Sequence, residues 1–160
     1  MDGVALARAS ALHALDRADA LLALGAAAGL LEARLASGMW DFREQIACAA
    51  GFARRAVLPL TGAEVGGGEF PEDAEGLRAW IEAARADVEA AEGPVPLEVA
   101  HRAGFADLVQ EPLHYAACFA LPNLWFHLSM AYAILRANGV EVGKAEFDGL
   151  HEYPEGFRWE

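Results

Sequence analysis

The residues from Pro112 to Gly139 are apolar on nearly every face of the helix that they predict, and this feature constrains the fold most. A helix that is hydrophobic all round needs apolar partners on all its sides, either neighbouring helices or lipid. No run reaches about 18 uninterrupted apolar residues, so the sequence predicts no membrane span. The stretch therefore predicts the most buried helix of a helical bundle.

Three further helices are predicted upstream of this one. The first covers residues 4–28, the second begins at Asp41 and the third begins near Pro71. Glu44 lies three residues after Asp41, the spacing of a capping box at a helix N-terminus. Alanine is abundant in these segments, and alanine has the highest intrinsic helix propensity.

The remaining segments complete the predicted architecture. Residues 95–110 contain short β-like runs that favour a small hairpin or an extended excursion. Pro122 lacks an N–H and is expected to kink the fourth helix, leaving a free backbone acceptor near Cys118. The tail after Gly139 is predicted to pack back onto the bundle through Phe147, Tyr153, Phe157 and Trp159. We therefore expect an all-α four-helix bundle in which residues 1–160 form a single domain.

Composition limits the partners of such a bundle. The formal net charge is −12, and since residues 1–60 are neutral by count, the excess acid lies in residues 61–160. Nucleic acids and anionic membranes attract basic surfaces, so we expect neither as a partner. The two cysteines are too few for a disulfide framework, and the N-terminal residues do not resemble a signal peptide. A soluble, cytoplasmic protein is the expectation.

Most catalytic motifs are absent from the sequence: it has no phosphate-binding loop, G-x-S-x-G, H-E-x-x-H or C-x-x-C. Asn123 and His127, four apart on the fourth helix, remain. Such a pair can converge on a metal ion in a bundle core. Alternatively, Asn123 satisfies a backbone carbonyl freed near Pro122, and His127 forms a hydrogen bond inside the core.

The two thiols are further candidates. Cys118 lies one turn before Pro122 and is a possible third metal ligand or a nucleophile, but its local sequence supplies no base or cation to lower its pKa. Cys48 is flanked by alanines and reads as an inert core residue. Both alternatives, a ligand and a small hydrophobe, stay open for each thiol.

Two segments resemble an uncharacterised bacterial family of unknown function within the DinB/YfiT-like superfamily of metalloenzymes. The similar parts are the Q-x-A-C step in residues 33–50, and the A-L-P-N-x-x-F-H segment and the N-G-V-E-x-G-K run in residues 119–149. The resemblance implies an up-down-down-up four-helix bundle, often dimeric. It also implies a divalent metal held by three histidines, one from the second helix and two from the last.

Carried onto this sequence, the pair of last-helix ligands falls at Asn123 and His127, so only His127 matches. The second-helix position falls near residues 49–50, which are alanines, and Cys118 stands where relatives often have a further histidine. The resemblance thus implies a degenerate or absent metal site, with His127, Asn123 and Cys118 as the remaining ligands.

Three functions are left open. The first is a homodimeric bundle of unrecorded role with no cofactor. The second is a thiol transferase or hydrolase that depends on a divalent metal, zinc or nickel. The third is a module that binds a small apolar molecule in a pocket lined by Gln45, Cys48, Trp125 and Phe126.

Overall fold

The computed structural model describes residues 2–157 of the chain, so Trp159 lies outside the described residues. The helices are α1 (Gly3–Ala27), α2 (Phe42–Val57), α3 (Ala74–Ala90), α4 (Pro112–Tyr115), α5 (Leu121–Ala137) and α6 (Lys144–Asp148). A π-helical segment, Ala116–Ala120, joins α4 to α5 into the predicted fourth helix. The strands β1 (Val99–Ala103) and β2 (Ala106–Gln110) form the predicted antiparallel hairpin. The all-α bundle with a small β excursion is confirmed.

Local sequence sets where the helices begin and end. The Asp41 side chain accepts a hydrogen bond from the N–H of Glu44 at 2.8 Å, and the Glu44 carboxylate accepts one from the N–H of Asp41 at 2.8 Å, which confirms the capping box. Helix α1 ends where Gly29 adopts a φ of +68°. The N–H of Leu30 then donates to the carbonyl of Gly25 at 2.9 Å, and this bond closes a Schellman motif.

Helix α2 lies at the centre of the bundle and packs against α1, α3 and α5. Five of its twelve buried residues are alanines, and Ala47, Ala50 and Ala53 have no exposed surface. Small side chains allow neighbouring helix backbones to approach closely, which explains the alanine-rich composition. The indole N–H of Trp80 on α3 reaches across and donates to the carbonyl of Ala47 at 3.0 Å.

The π-helical segment replaces the simple kink that Pro122 predicts. The N–H of Leu121 donates to the carbonyl of Ala116, five residues earlier, so the helix widens one residue before the proline. A wider turn accommodates the missing N–H and the proline ring. The side-chain amide of Asn123 donates to the carbonyl of Phe119 at 2.7 Å, so the structure confirms the predicted capture of a backbone acceptor near the proline.

The fourth helix is long and apolar enough, by length and composition, to cross a membrane, and a third of its most apolar window is buried. Its α5 part packs against α2 and α1, with Leu124, Leu128 and Leu135 fully or almost fully buried. These contacts place one side of the fourth helix in the core. The prediction that it is the most buried helix is wrong, because twelve of the sixteen residues of α2 are buried, against five of the seventeen of α5.

The hairpin lies against the π-helical segment. His101 lies in β1, and the two-residue turn of the hairpin is formed by Gly104 and Phe105. The His101 ring contacts Tyr115 and Phe119, with ring centroids 4.7 and 4.4 Å apart. This contact holds one face of the hairpin over the beginning of α5.

Candidate functional site

A cleft of about 420 Å³ opens between α2, the π-helical segment, α5 and the hairpin. Helix α2 contributes Cys48, Phe52 and Arg55, which follow one another at spacings of four and three and so share one face. The fourth helix contributes Phe119, Asn123 and His127 at spacings of four. Trp40 and hairpin residues 102–104 complete the wall. The volume is within the range of sites for small molecules.

His127 is fixed in this cleft by stacking and by one hydrogen bond. Its ring lies nearly parallel to those of Trp40 and Phe52, at interplanar angles of 22° and 19°, with both centroids 5.6 Å away. Its Nδ1 is 2.8 Å from Oε1 of Gln45, which is buried on α2. An amide oxygen only accepts hydrogen bonds, so Nδ1 carries the proton and Nε2 has the free lone pair.

Two titratable groups of the cleft are shifted toward their neutral forms. Burial, helped by the positive charge of Arg55, lowers the pKa of His127 from 6.5 to about 4. Burial raises the pKa of the Cys48 thiol to about 11, against an opposing influence of Arg55. At neutral pH the cleft therefore holds a neutral imidazole and a protonated thiol. A protonated thiol is a poor nucleophile.

The charged side chains that line the cleft, within residues 2–157, are Arg55 and Arg102. Arg55 forms no ion pair with a described carboxylate, and its guanidinium lies over the Phe52 ring, 4.9 Å from the centroid. Arg102 pairs with Asp107 at 3.4 Å, but both side chains are largely exposed, so this pair contributes less than about 1 kcal/mol. Both guanidinium groups can therefore bind an anionic partner.

The structure brings together four of the residues that the sequence singled out. Cys48, Asn123 and His127 line the cleft. Gln45 does not line it but forms a hydrogen bond with His127, which does. The other three lie elsewhere. Cys118 is exposed and does not line the cleft.

Trp125 and Phe126 also lie outside the cleft lining. Trp125 faces α1, where its indole N–H donates to Ser10 Oγ at 3.1 Å, and its ring packs beside Phe147. Phe126 is half exposed and touches only the edge of the His127 ring, at an interplanar angle of 81°.

Sequence reasoning missed the aromatic and basic residues of the cleft. Phe52 and Arg55 had a usable signal, since they follow Cys48 at helical spacing on α2. Trp40 precedes the helix cap, and Arg102 reaches the cleft only because the hairpin folds back over α5. Neither of these two positions carries a local pattern that predicts its location.

The residues of the cleft do not fit the three-histidine metal centre that the resemblance implies. Ala49 and Ala50 have no ligating side-chain atoms and are buried, at 1% and 0% exposure. Within residues 2–157, no group of three His, Cys, Asp or Glu lies together so as to hold a metal ion. Among the residues that line the cleft, His127 offers one nitrogen and Cys48 one sulfur, fewer than the three protein ligands of a catalytic metal site, and the positive charge of Arg55 repels a cation.

The fold and the cleft define a small DinB-like helical bundle. The chain is similar to a crystal structure of a DinB family member from Shewanella denitrificans, with 26% identity over 92% of each chain and a TM-score of 0.71. Residues 5–148 match the family model described as "Domain of unknown function (DUF1993)". The chain belongs to this family, which confirms the predicted resemblance. No protein of curated function matches the chain.

Proposed function

We propose that the cleft binds a small organic anion with a planar apolar body. One observation carries the proposal: the charged side chains that line the cleft in the described residues are two arginines, although the whole chain has a net charge of −12. A local positive wall in an acidic protein concentrates anions at that wall.

The two kinds of lining correspond to two parts of the ligand. The rings of Trp40, Phe52 and Phe119 supply an apolar surface on which a flat body packs. The Arg55 guanidinium supplies charge-assisted hydrogen bonds to a carboxylate, and the planar fork of arginine matches the two oxygens of that group. The expected ligand class is therefore that of aromatic carboxylic acids.

Benzoate and benzamide test this proposal, because the two have nearly the same shape and differ in charge. We expect benzoate to bind and benzamide to bind at least about tenfold more weakly, the effect of losing one charge-assisted contact. Arg55→Gln should abolish the difference, as measured by calorimetry or by NMR titration. Arg78→Gln, at an exposed position of α3 outside the cleft, is the matched control and should retain it. Equal binding of the two probes, or binding of neither, would overturn the proposal.

We propose further that the family's metal site is degenerate in this chain and that the bundle works without a divalent metal. The support is the donor set described above, in which alanine occupies the second-helix positions and the cleft offers one imidazole nitrogen and one thiol sulfur. Elemental analysis of the purified protein tests this directly. A stoichiometric metal that is lost on His127→Ala would contradict it.

A homodimer in the cytoplasm completes the proposal. The hairpin and the segment before it expose large apolar side chains, with Phe105 97% and Leu97 94% exposed, and a second copy is the partner we propose for them. Cys48 and Cys118 are both free, which suits a reducing compartment.

A further inference from the structure

The cleft also presents hydrogen-bond acceptors, on the wall formed by α5. Nδ1 of His127 donates to Gln45, and Nε2 forms no hydrogen bond with a residue in the range 2–157. Nε2 is also not among the buried polar atoms that lack a partner, so it reaches the solvent of the cleft. It is therefore an accessible acceptor with a fixed orientation.

A second acceptor follows from a separate contact one helical turn earlier. The side-chain amide nitrogen of Asn123 donates to the carbonyl of Phe119 at 2.7 Å. A backbone carbonyl only accepts, so this bond sets the orientation of the amide and leaves its oxygen as the free group. Asn123 lines the cleft, and within the described part of the chain its oxygen has no donor.

The two hydrogen bonds have the same consequence, because each leaves one hydrogen-bond acceptor of the cleft free. Gln45 orients the imidazole of His127, and the π-helical backbone at Phe119 orients the amide of Asn123, so that both present lone pairs to the same space. The two arginines that line the cleft present only donors. A ligand that satisfies the whole cleft thus needs acceptors at one end and donors at the other.

We propose that the anion bound in the cleft carries its own hydrogen-bond donors, so that the ligand class is that of hydroxylated aromatic carboxylic acids. The inference rests on the proposed function, since the carboxylate end is the one that Arg55 holds. It adds a contact at the other end of the ligand, where a hydroxyl group donates to Nε2 of His127 or to Oδ1 of Asn123. Gln45 is a positioning residue that acts through His127.

The test compares 4-hydroxybenzoate with 4-methoxybenzoate. Both carry the carboxylate and an oxygen at the same position, but only the hydroxyl donates. We expect 4-hydroxybenzoate to bind about tenfold more tightly, because the methoxy compound leaves an acceptor of the cleft unpaired. Equal affinity of the two would overturn this inference while leaving the anion proposal standing. Binding of neither compound would refute the proposed function, and the inference with it.

A second measurement reads the orientation without any ligand. The ¹⁵N chemical shifts of the His127 ring in the free protein should show the proton on Nδ1 and none on Nε2. A proton on Nε2 would overturn the inference, whatever the binding data show. Gln45→Leu should mix the two tautomers and reduce the preference for 4-hydroxybenzoate, and His114→Gln, on the exposed side of α4, is the control that should change neither.

Discussion

Lowering the pH should destabilise the protein through His127. Burial between Trp40 and Phe52, with Arg55 nearby, lowers the pKa of this imidazole from 6.5 in the unfolded chain to about 4 in the folded protein. As the pH falls below about 6.5, the unfolded chain takes up a proton that the folded protein does not. The contribution of His127 to stability is therefore fully present above about pH 6.5 and is lost progressively down to about pH 4.

The size of this effect follows from the shift. A decrease of the pKa from 6.5 to about 4 corresponds to about 3 kcal/mol, at about 1.4 kcal/mol per pH unit. His127 is only partly buried, and solvent in the cleft screens part of the penalty on its charged form. We therefore expect a loss of about 1–2 kcal/mol of unfolding free energy between about pH 7 and about pH 4.5.

Urea unfolding across this pH range measures the effect, with His127→Gln as the perturbation. The carboxylates of the chain titrate equally in both proteins, so the difference between wild type and variant isolates the imidazole. The wild type should lose about 1–2 kcal/mol more than the variant on acidification. His114→Gln, an exposed histidine on α4, should follow the wild type. A pH-independent difference between wild type and His127→Gln would refute the reasoning.

Four further predictions concern the bundle. Gly25→Ala should cost about 1–2 kcal/mol, because a Cβ there meets the buried ring of Phe42 at 2.4 Å, while Gly51→Ala has room and should stabilise by up to about 1 kcal/mol; urea unfolding that ranked them in reverse would contradict this packing. Asp41→Ala should cost about 1–2 kcal/mol in the same assay through loss of the capping box, and an unchanged midpoint would count against it. Phe105→Ser should convert the proposed dimer to a monomer, as measured by light scattering. A dimer that survives the change would place the interface elsewhere. Zinc or nickel should leave the melting temperature unchanged, and a rise of several degrees would argue for a metal site.

The fold was predictable because its signals are local. The capping box at Asp41, the helix-ending glycines and the all-round apolar run after Pro112 each act within a few residues, and each specifies one element. The π-helical segment was predicted only as a kink at Pro122. A proline removes one hydrogen bond, but whether the backbone bends or widens in response depends on the packing of the helices around it.

Only about half of the cleft was predictable, because some of its residues are brought together from distant parts of the sequence. Asn123 and His127 stand out because they are polar residues in an apolar helix. Gln45 and Cys48 belong to the Q-x-A-C step of α2, which resembles the family. Arg102 arrives from a hairpin that is separated from α2 by a helix and a long connection. Long-range placement of this kind leaves no periodicity in the sequence, so a surface arginine and a cleft arginine look alike there.

The same geometry predicts that a single substitution will not restore a three-histidine metal centre. A histidine whose Nδ1–H donates to a side-chain oxygen is the usual form of a metal ligand, and Gln45 holds His127 in that form. What differs is the surroundings, because alanines occupy the second-helix positions and Arg55 lines the same cleft as His127. Ala49 and Ala50 have 1% and 0% exposure, so a larger side chain at either position would overpack the helix interface before it reached a metal. We therefore expect the free lone pair of His127 to be paired by the hydrogen-bond donor of the proposed anionic ligand.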